Sequence, residues 1–183
     1  RDIDDSVIQV NSTGKRFGNY QFGGGDALHT AAHEDVGNAY HMLLDNLAKI
    51  TECNLVVITL GLVEAWYDKK SATYLNIGPH RSTLKQDPER FELHVLSYDQ
   101  ITDCLENIYE LLRSTRKVEQ NLLITVSPVP LHATYRDQDV LQANCYSKSV
   151  LRAAVEYFVM GHKEVAYFPS YEMVTLADTD IAW

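Results

Sequence analysis

The sequence predicts an α/β domain of three layers built on a mostly parallel sheet. Three observations predict it. Short apolar runs rich in β-branched residues recur along the chain, each stopped by Gly, Pro, Asn or Ser. Amphipathic segments of helical period separate them, with crossovers well above the dozen residues a parallel connection needs. The length of 183 residues, with 45% hydrophobic and 22% charged residues, suits one globular domain. A β-α-β-α-β-α-β order follows, and right-handed crossovers are expected to place helices on both faces of the sheet.

The elements follow in order. Val7-Ile8-Gln9-Val10 reads as a strand ended by Asn11-Ser12-Thr13-Gly14, and the glycine-rich stretch 14–26 as loop. From about Asp35 to Ile50, Val36, Tyr40, Leu43, Leu44, Leu47 and Ile50 recur at helical steps. Leu55 to Leu60 is a continuous apolar run, the pattern of a strand buried on both faces. Residues 61–95 read as irregular, with turns at Gly78-Pro79 and Asp87-Pro88. Ser97 and Gln100 have capping-box spacing, and the helix after them carries Ile101, Leu105, Ile108, Leu111 and Leu112 to about Arg116. Leu122 to Val126 is a second buried strand, stopped by Ser127-Pro128. A helix from about Val140 to Met160 carries Val150, Leu151, Ala154, Val155 and Phe158, with Gly161 as its C-cap. Val165 to Phe168 is the last strand, stopped by Pro169.

Composition narrows the function. The formal charge of −9 gains nothing from counterion release on nucleic acid and is repelled by anionic lipid, so neither is an expected partner. Cys53, Cys104 and Cys145 fit no zinc or redox spacing and read as reduced, mostly buried thiols of a cytoplasmic protein. No apolar run approaches a membrane span, and the first residues do not form a signal peptide. Both ends of the sequence look cut.

In open α/β sheets ligands bind beyond the carboxyl ends of the strands. Ser12 follows the first strand, as a nucleophile or a turn residue. Gly61 allows close backbone approach or a positive φ, or simply ends the strand. Glu64 and Trp66 follow the same strand, and a carboxylate beside an indole suits acid–base work; a capping Glu with a core Trp is the plainer reading. Ser127 ends a strand, where its hydroxyl can face a site or form a Ser-Pro turn. His132 is the histidine beside this region and the available general base, or a loop residue. Ser147 and Lys148 are adjacent on a helix and cannot meet as a dyad, so Ser147 reads as packing. Asn144, Lys148 and Arg152 share one helix face, which binds an anionic group or is solvated. Ser170 and Glu172 follow the last strand. His29 and His33 have helical metal spacing without a third ligand, so no metal is expected.

Four blocks carry a resemblance. They are Thr59-Leu60-Gly61-Leu62-Val63-Glu64-Ala65-Trp66; Thr125 to Leu131 with Ala133-Thr134; Asn144 with Ser147-Lys148-Ser149-Val150-Leu151-Arg152; and Tyr167-Phe168-Pro169-Ser170-Tyr171-Glu172. Together they resemble the GSCFA domain family, which is similar to the SGNH/GDSL hydrolases, over about Asn54 to Val174. The resemblance implies a flavodoxin-like (SGNH hydrolase-like) fold over residues 1–183 as a single domain, and acyl-ester chemistry without a cofactor. The substrate implied is a small-molecule or glycan acyl ester, cleaved or transferred through a serine acyl-enzyme. The Gly-Ser-Cys-Phe-Ala motif does not occur, and no His follows Asp178 and Asp180, so the domain is expected to be incomplete at both ends. Glu64 stands where the SGNH group has Asn, and a carboxylate donates to an oxyanion only when protonated. On this basis Ser12, Glu64, Ser127 and His132 are the catalytic candidates. Gly61, Trp66, Asn144, Lys148, Ser170 and Glu172 are the substrate-binding ones. The alternative is a non-catalytic SGNH-like module that binds a glycan or a partner protein. The sequence leaves the oligomeric state open.

Overall fold

The computed structural model describes residues 8–10, 17–19, 33–76, 78–79 and 81–177. The chain divides into two compact units, Arg1–Ala48 with Ala65–His94, and Lys49–Glu64 with Val95–Trp183.

The second unit holds the parallel sheet. A 3-10 turn over Lys49–Glu52 leads into β3, Leu55–Leu60. The helix α3, Tyr98–Thr115, precedes β7, Asn121–Val126. The helix α4, Val140–Gly161, precedes β8, Val165–Phe168, and the short helix α5 covers Ser170–Thr175. The strand order is β3-β7-β8, with Leu55 opposite Asn121 and Leu122 opposite Val165, both pairings parallel. The expected capping box closes α3: the Gln100 N–H donates to Ser97 Oγ and the Ser97 N–H to Gln100 Oε1. Asp139 caps α4, its carboxylate accepting from the Leu141 N–H at 2.7 Å.

One core joins these elements. Val56, Leu122, Ile124, Val126 and Val165 line one face of the sheet and pack with Ile101, Leu105, Tyr109 and Leu112 of α3 and Leu151, Ala154, Val155 and Phe158 of α4. Both long helices of this unit therefore cover the same face of its sheet. The reason is topological: β3, β7 and β8 advance in one direction across the sheet, so two crossovers of the same hand fall on the same side. The opposite face leaves Leu55 at 53% and Val57 at 56% exposure, so β3 is not the doubly buried strand its apolar run suggests. β7, flanked by strands on both sides, is the more buried of the two.

Other expectations need correction. Gly161 is the last helical residue, and the C-cap is His162 in an extended conformation (φ −132°), its N–H donating to the Val159 carbonyl. The three cysteines are free and exposed, because Cys104 and Cys145 lie on outward positions of their helices and Cys53 in the turn before β3.

In the first unit β1, Ile8–Val10, pairs antiparallel with β2, Phe17–Asn19, a strand within the stretch expected to be loop. β1 is thus not part of the parallel ladder. α1 runs over His33–Ala48. The stretch expected to be irregular is structured: β4 Glu64–Asp68, β5 Thr73–Leu75, α2 Arg81–Gln86 and β6 Phe91–Val95, with the sheet order β5-β4-β6. β4 and β5 form an antiparallel hairpin. Strands this short and mixed in polarity carry no long apolar run, which is why periodicity missed them. Leu75 and Phe91 are buried with Trp66 and Leu84 against them. Asp68, fully buried, takes a two-pronged contact from Arg90, Nε to Oδ1 at 2.9 Å and Nη2 to Oδ2 at 2.5 Å. The Lys70 N–H adds a third bond to Oδ1 at 2.9 Å. No helix among the described residues is long and apolar enough to cross a membrane.

Candidate active site at the carboxyl edge of the parallel sheet

Three segments leave the carboxyl ends of β3, β7 and β8, and side chains of α4 and α5 fasten them. The first is Gly61–Glu64. Lys148 Nζ donates to the Gly61 carbonyl at 2.7 Å, and the Val63 N–H donates to Ser147 Oγ at 2.8 Å. Ser147 is fully buried, so its hydroxyl satisfies an amide that water cannot reach. Glu64 accepts two short contacts from Thr134 Oγ1, at 2.8 and 2.9 Å. A Cβ at Gly61 would meet nothing within 4 Å, so the space beside it is open.

The second segment follows β7. The Ser127 N–H donates to the Leu60 carbonyl at 2.8 Å, and its Oγ accepts from the Val129 N–H at 3.2 Å. Asn144 Oδ1 accepts from the Leu131 N–H at 3.0 Å. His132 is exposed.

The third segment follows β8. Ser170 Oγ donates to the Val126 carbonyl at 2.8 Å and lies 2.5 Å from Thr125 Oγ1. Glu172 accepts from Arg152 Nε at 2.6 Å and from the Tyr167 hydroxyl at 2.6 Å. Arg152 also pairs with Glu156 at 2.7 Å and lies over the Tyr167 ring, 4.2 Å from its centroid. Burial pushes the Glu172 carboxyl upward, but the Tyr167 and Arg152 bonds outweigh it and hold the carboxyl below its usual range. Burial and the neighbouring carboxylate push the Tyr167 phenol well above its ordinary value. A cavity of about 480 Å³ opens beside this cluster, lined by Lys148, Ser149, Arg152, Ala153, Glu156 and Tyr171.

Lys148 is the unusual member. It is 1% exposed, and no carboxylate among the described residues lies within ion-pair reach of it. Burial pushes its ammonium below the usual lysine value. On the helix face of Asn144, Lys148 and Arg152, Lys148 is therefore buried, whereas Asn144 and Arg152 are half-buried.

The structure brings Gly61, Glu64, Ser127, Asn144, Lys148, Ser170 and Glu172 to one edge of one unit. Trp66 lies in the first unit, where the Gly78 backbone abuts its indole; a Cβ on Gly78 would come within 2.9 Å of Trp66 Nε1. Ser12 and His29 lie outside the described residues, and nothing is described of the His33 side chain. Sequence reasoning took Ser147 as packing and gave Thr134 and Tyr167 no task, whereas they bond to Val63, Glu64 and Glu172. The available signal was that Asn144, Ser147 and Lys148 sit at helical steps of three and four, on the side of the helix that also carries Leu151 and Val155.

The sequence model of the GSCFA family matches residues 13–182, nearly the whole chain. The chain belongs to the GSCFA family. No curated protein and no solved structure matches it. The four blocks of this GSCFA chain map onto the fastened edge: the first and second form its loops, the third is the part of α4 that holds them, and the fourth closes β8 into α5. Among the described residues no group of three or more His, Cys, Asp or Glu side chains is placed to hold a metal ion.

Proposed function

We propose that this GSCFA chain is an acyl-ester hydrolase or O-acyltransferase acting on a carbohydrate-type substrate, on an SGNH-like, flavodoxin-like domain of three layers. The observation that supports the reading most is the edge itself. Three loops at the carboxyl ends of parallel strands are held by buried or half-buried side chains, which is the preorganisation an acyl-transfer site needs. A serine hydroxyl would lose its proton to a general base and bond to the ester carbonyl carbon as the alcohol departs; water or a sugar hydroxyl would then take the acyl group. Ser12 is the proposed nucleophile and His132 the proposed base, both on their sequence positions. Glu64 and Ser127 stand beside them in the reading. Asn144, Lys148, Ser170 and Glu172 act in it as positioning residues, and Gly61 leaves room for substrate. No cofactor enters this chemistry.

A second reading is a non-catalytic module that binds a glycan or a partner protein. The same edge favours it in one respect: Ser127, Asn144, Ser170, Glu172 and Glu64 already have partners within the protein.

Labelling with a fluorophosphonate probe and mapping the adduct separates the two. Adduct on Ser12, lost in Ser12→Ala, supports the enzyme as stated. Adduct on Ser127, Ser147 or Ser170 keeps the reaction class and moves the nucleophile. A folded protein with no labelled serine leaves the binding module.

A further inference from the structure

The first unit carries a second cluster of chemically capable side chains, unrelated to the four sequence blocks. Tyr67 on β4, Tyr74 on β5 and Glu92 and His94 on β6 come together on one face of the β5-β4-β6 sheet. Alternation explains the placement. Trp66, Leu75 and Phe91 pack on the other face, so their neighbours Tyr67, Tyr74 and Glu92, and His94 two residues further, turn away from that small core.

The contacts form a chain. The Tyr74 hydroxyl lies 2.9 Å from His94 Nδ1, and His94 Nε2 lies 3.5 Å from Glu92 Oε2. The Tyr67 ring stacks on the imidazole, 5.1 Å between centroids at 14°. A carboxylate only accepts, so Glu92 favours the proton on Nε2. In the neutral ring Nδ1 is then an acceptor, and Tyr74 donates to it. Stacking by Tyr67 fixes the ring plane, so the lone pair stays aimed at the phenol. A hydroxyl, an imidazole facing it and a carboxylate behind the imidazole are the parts of an activated nucleophile. Tyr74, at the far end of the chain, is 47% exposed, so reagents in solution reach it.

We infer that Glu92, His94 and Tyr74 form a relay that makes Tyr74 a second acyl-accepting centre, reactive toward ester-type electrophiles. In the step, the Tyr74 O–H bond breaks and its proton passes to His94 Nδ1. The phenolic oxygen bonds to the ester carbonyl carbon, and the C–O bond to the alcohol breaks. The departing alkoxide takes the proton back from Nδ1, leaving acyl-Tyr74 and a free alcohol. Tyr74 is the reacting residue, His94 the base, and Glu92 and Tyr67 are positioning residues. The inference stands apart from the serine reaction proposed above, since all four residues belong to the other unit.

The test uses the whole chain and phenylmethanesulfonyl fluoride, with adducts mapped to individual tyrosines. Here the phenolic oxygen bonds to sulfur and fluoride leaves. Tyr135 and Tyr157 are internal standards, because at 67% and 61% exposure they are more accessible than Tyr74. Tyr74 is expected to react about tenfold faster than either, and His94→Ala to bring it down to their level. Added imidazole is expected to restore the rate in His94→Ala, which a purely structural histidine would not allow. Glu92→Gln, at an exposed position, is expected to slow Tyr74 several-fold. Reaction of Tyr74 no faster than Tyr135 and Tyr157, or a rate indifferent to Glu92→Gln, overturns the relay. Labelling of serines by fluorophosphonate does not enter either outcome, so the two proposals fail separately.

Discussion

The two units differ in what their buried polar side chains hold. At the carboxyl edge of the parallel sheet four of them fasten loop backbone, Ser147 to Val63, Lys148 to Gly61, Asn144 to Leu131 and Ser170 to Val126, beside the Arg152–Glu172–Tyr167 cluster. On the β5-β4-β6 sheet they bond to one another: Arg90 to Asp68 on one side, Tyr74 to His94 on the other. Loops beyond strand ends have amides and carbonyls with no ladder partner, and buried ones must be satisfied by side chains. Inside a short sheet the backbone is already paired, so side chains are left to pair among themselves. The edge thereby fixes the shape of a surface, whereas the small sheet fixes the orientation of individual reactive groups.

Breaking a side-chain pair is expected to have the largest effect. Asp68→Ala leaves the largely buried Arg90 guanidinium without its carboxylate and should cost about 3–5 kcal/mol in urea unfolding. Burial raises the Asp68 carboxyl, but the Arg90 and Lys70 bonds outweigh it and hold it below its ordinary value. The unfolded chain therefore binds the proton more readily, and this stability is present above about pH 4 and lost as acid titrates the folded carboxylate. An acid limb that stays unchanged in Asp68→Ala would remove the pair from the account.

A backbone clasp is expected to come next. Ser147→Ala orphans the Val63 N–H and should cost about 1–3 kcal/mol, with faster hydrogen exchange at Val63 than at the β7 amides. Exchange unchanged at Val63 would mean the loop does not depend on the clasp.

Lys148→Met sharpens the comparison further, because it removes a charge that has no counter-charge to orphan among the described residues. The change at neutral pH should lie within about 1 kcal/mol, as loss of the Gly61 bond and relief of desolvation oppose each other. The sign of the pH effect is fixed. The folded amine binds its proton more weakly than the unfolded one, so wild-type stability rises with pH between the folded value and about 10.4. Lys148→Met should lack that alkaline rise. A rise of equal size in both proteins would show that Lys148 is not its source.

The smallest effect on stability should come from Glu92→Gln, within about 0.5 kcal/mol, since the carboxylate is exposed and bonds only at long range. Its predicted loss of Tyr74 reactivity would then appear without any shift in the urea midpoint. A matching loss of stability would return the cluster to a structural role.

Much of the second unit was legible. β3, β7, β8, α3 and α4 each carry a continuous apolar run or a helical stripe, and Ser97 with Gln100 announced a capping box that forms as expected. The edge residues were legible as a set, through the four blocks, but not in their individual tasks. Ser147 looked like packing, and the Lys148 face could bind an anionic group or be solvated, because sequence spacing shows which residues share a helix face, not which way the face turns. The first unit was mostly illegible. β4, β5 and β6 have three to five residues each, too few for a period to show, and Tyr74 and His94 meet across twenty residues of chain.

The sequence by itself determined the α/β class, the main strands and helices of the second unit, and membership of the GSCFA family. These depend on local periodicity, turn residues and motif order, all of which are written along the chain. Only the tertiary structure decided that both long helices share one face of the sheet, that Lys148 is buried against the Gly61 carbonyl, and that Glu92, His94 and Tyr74 line up. Those depend on strand order and on which residues lie opposite each other, and a linear pattern carries neither.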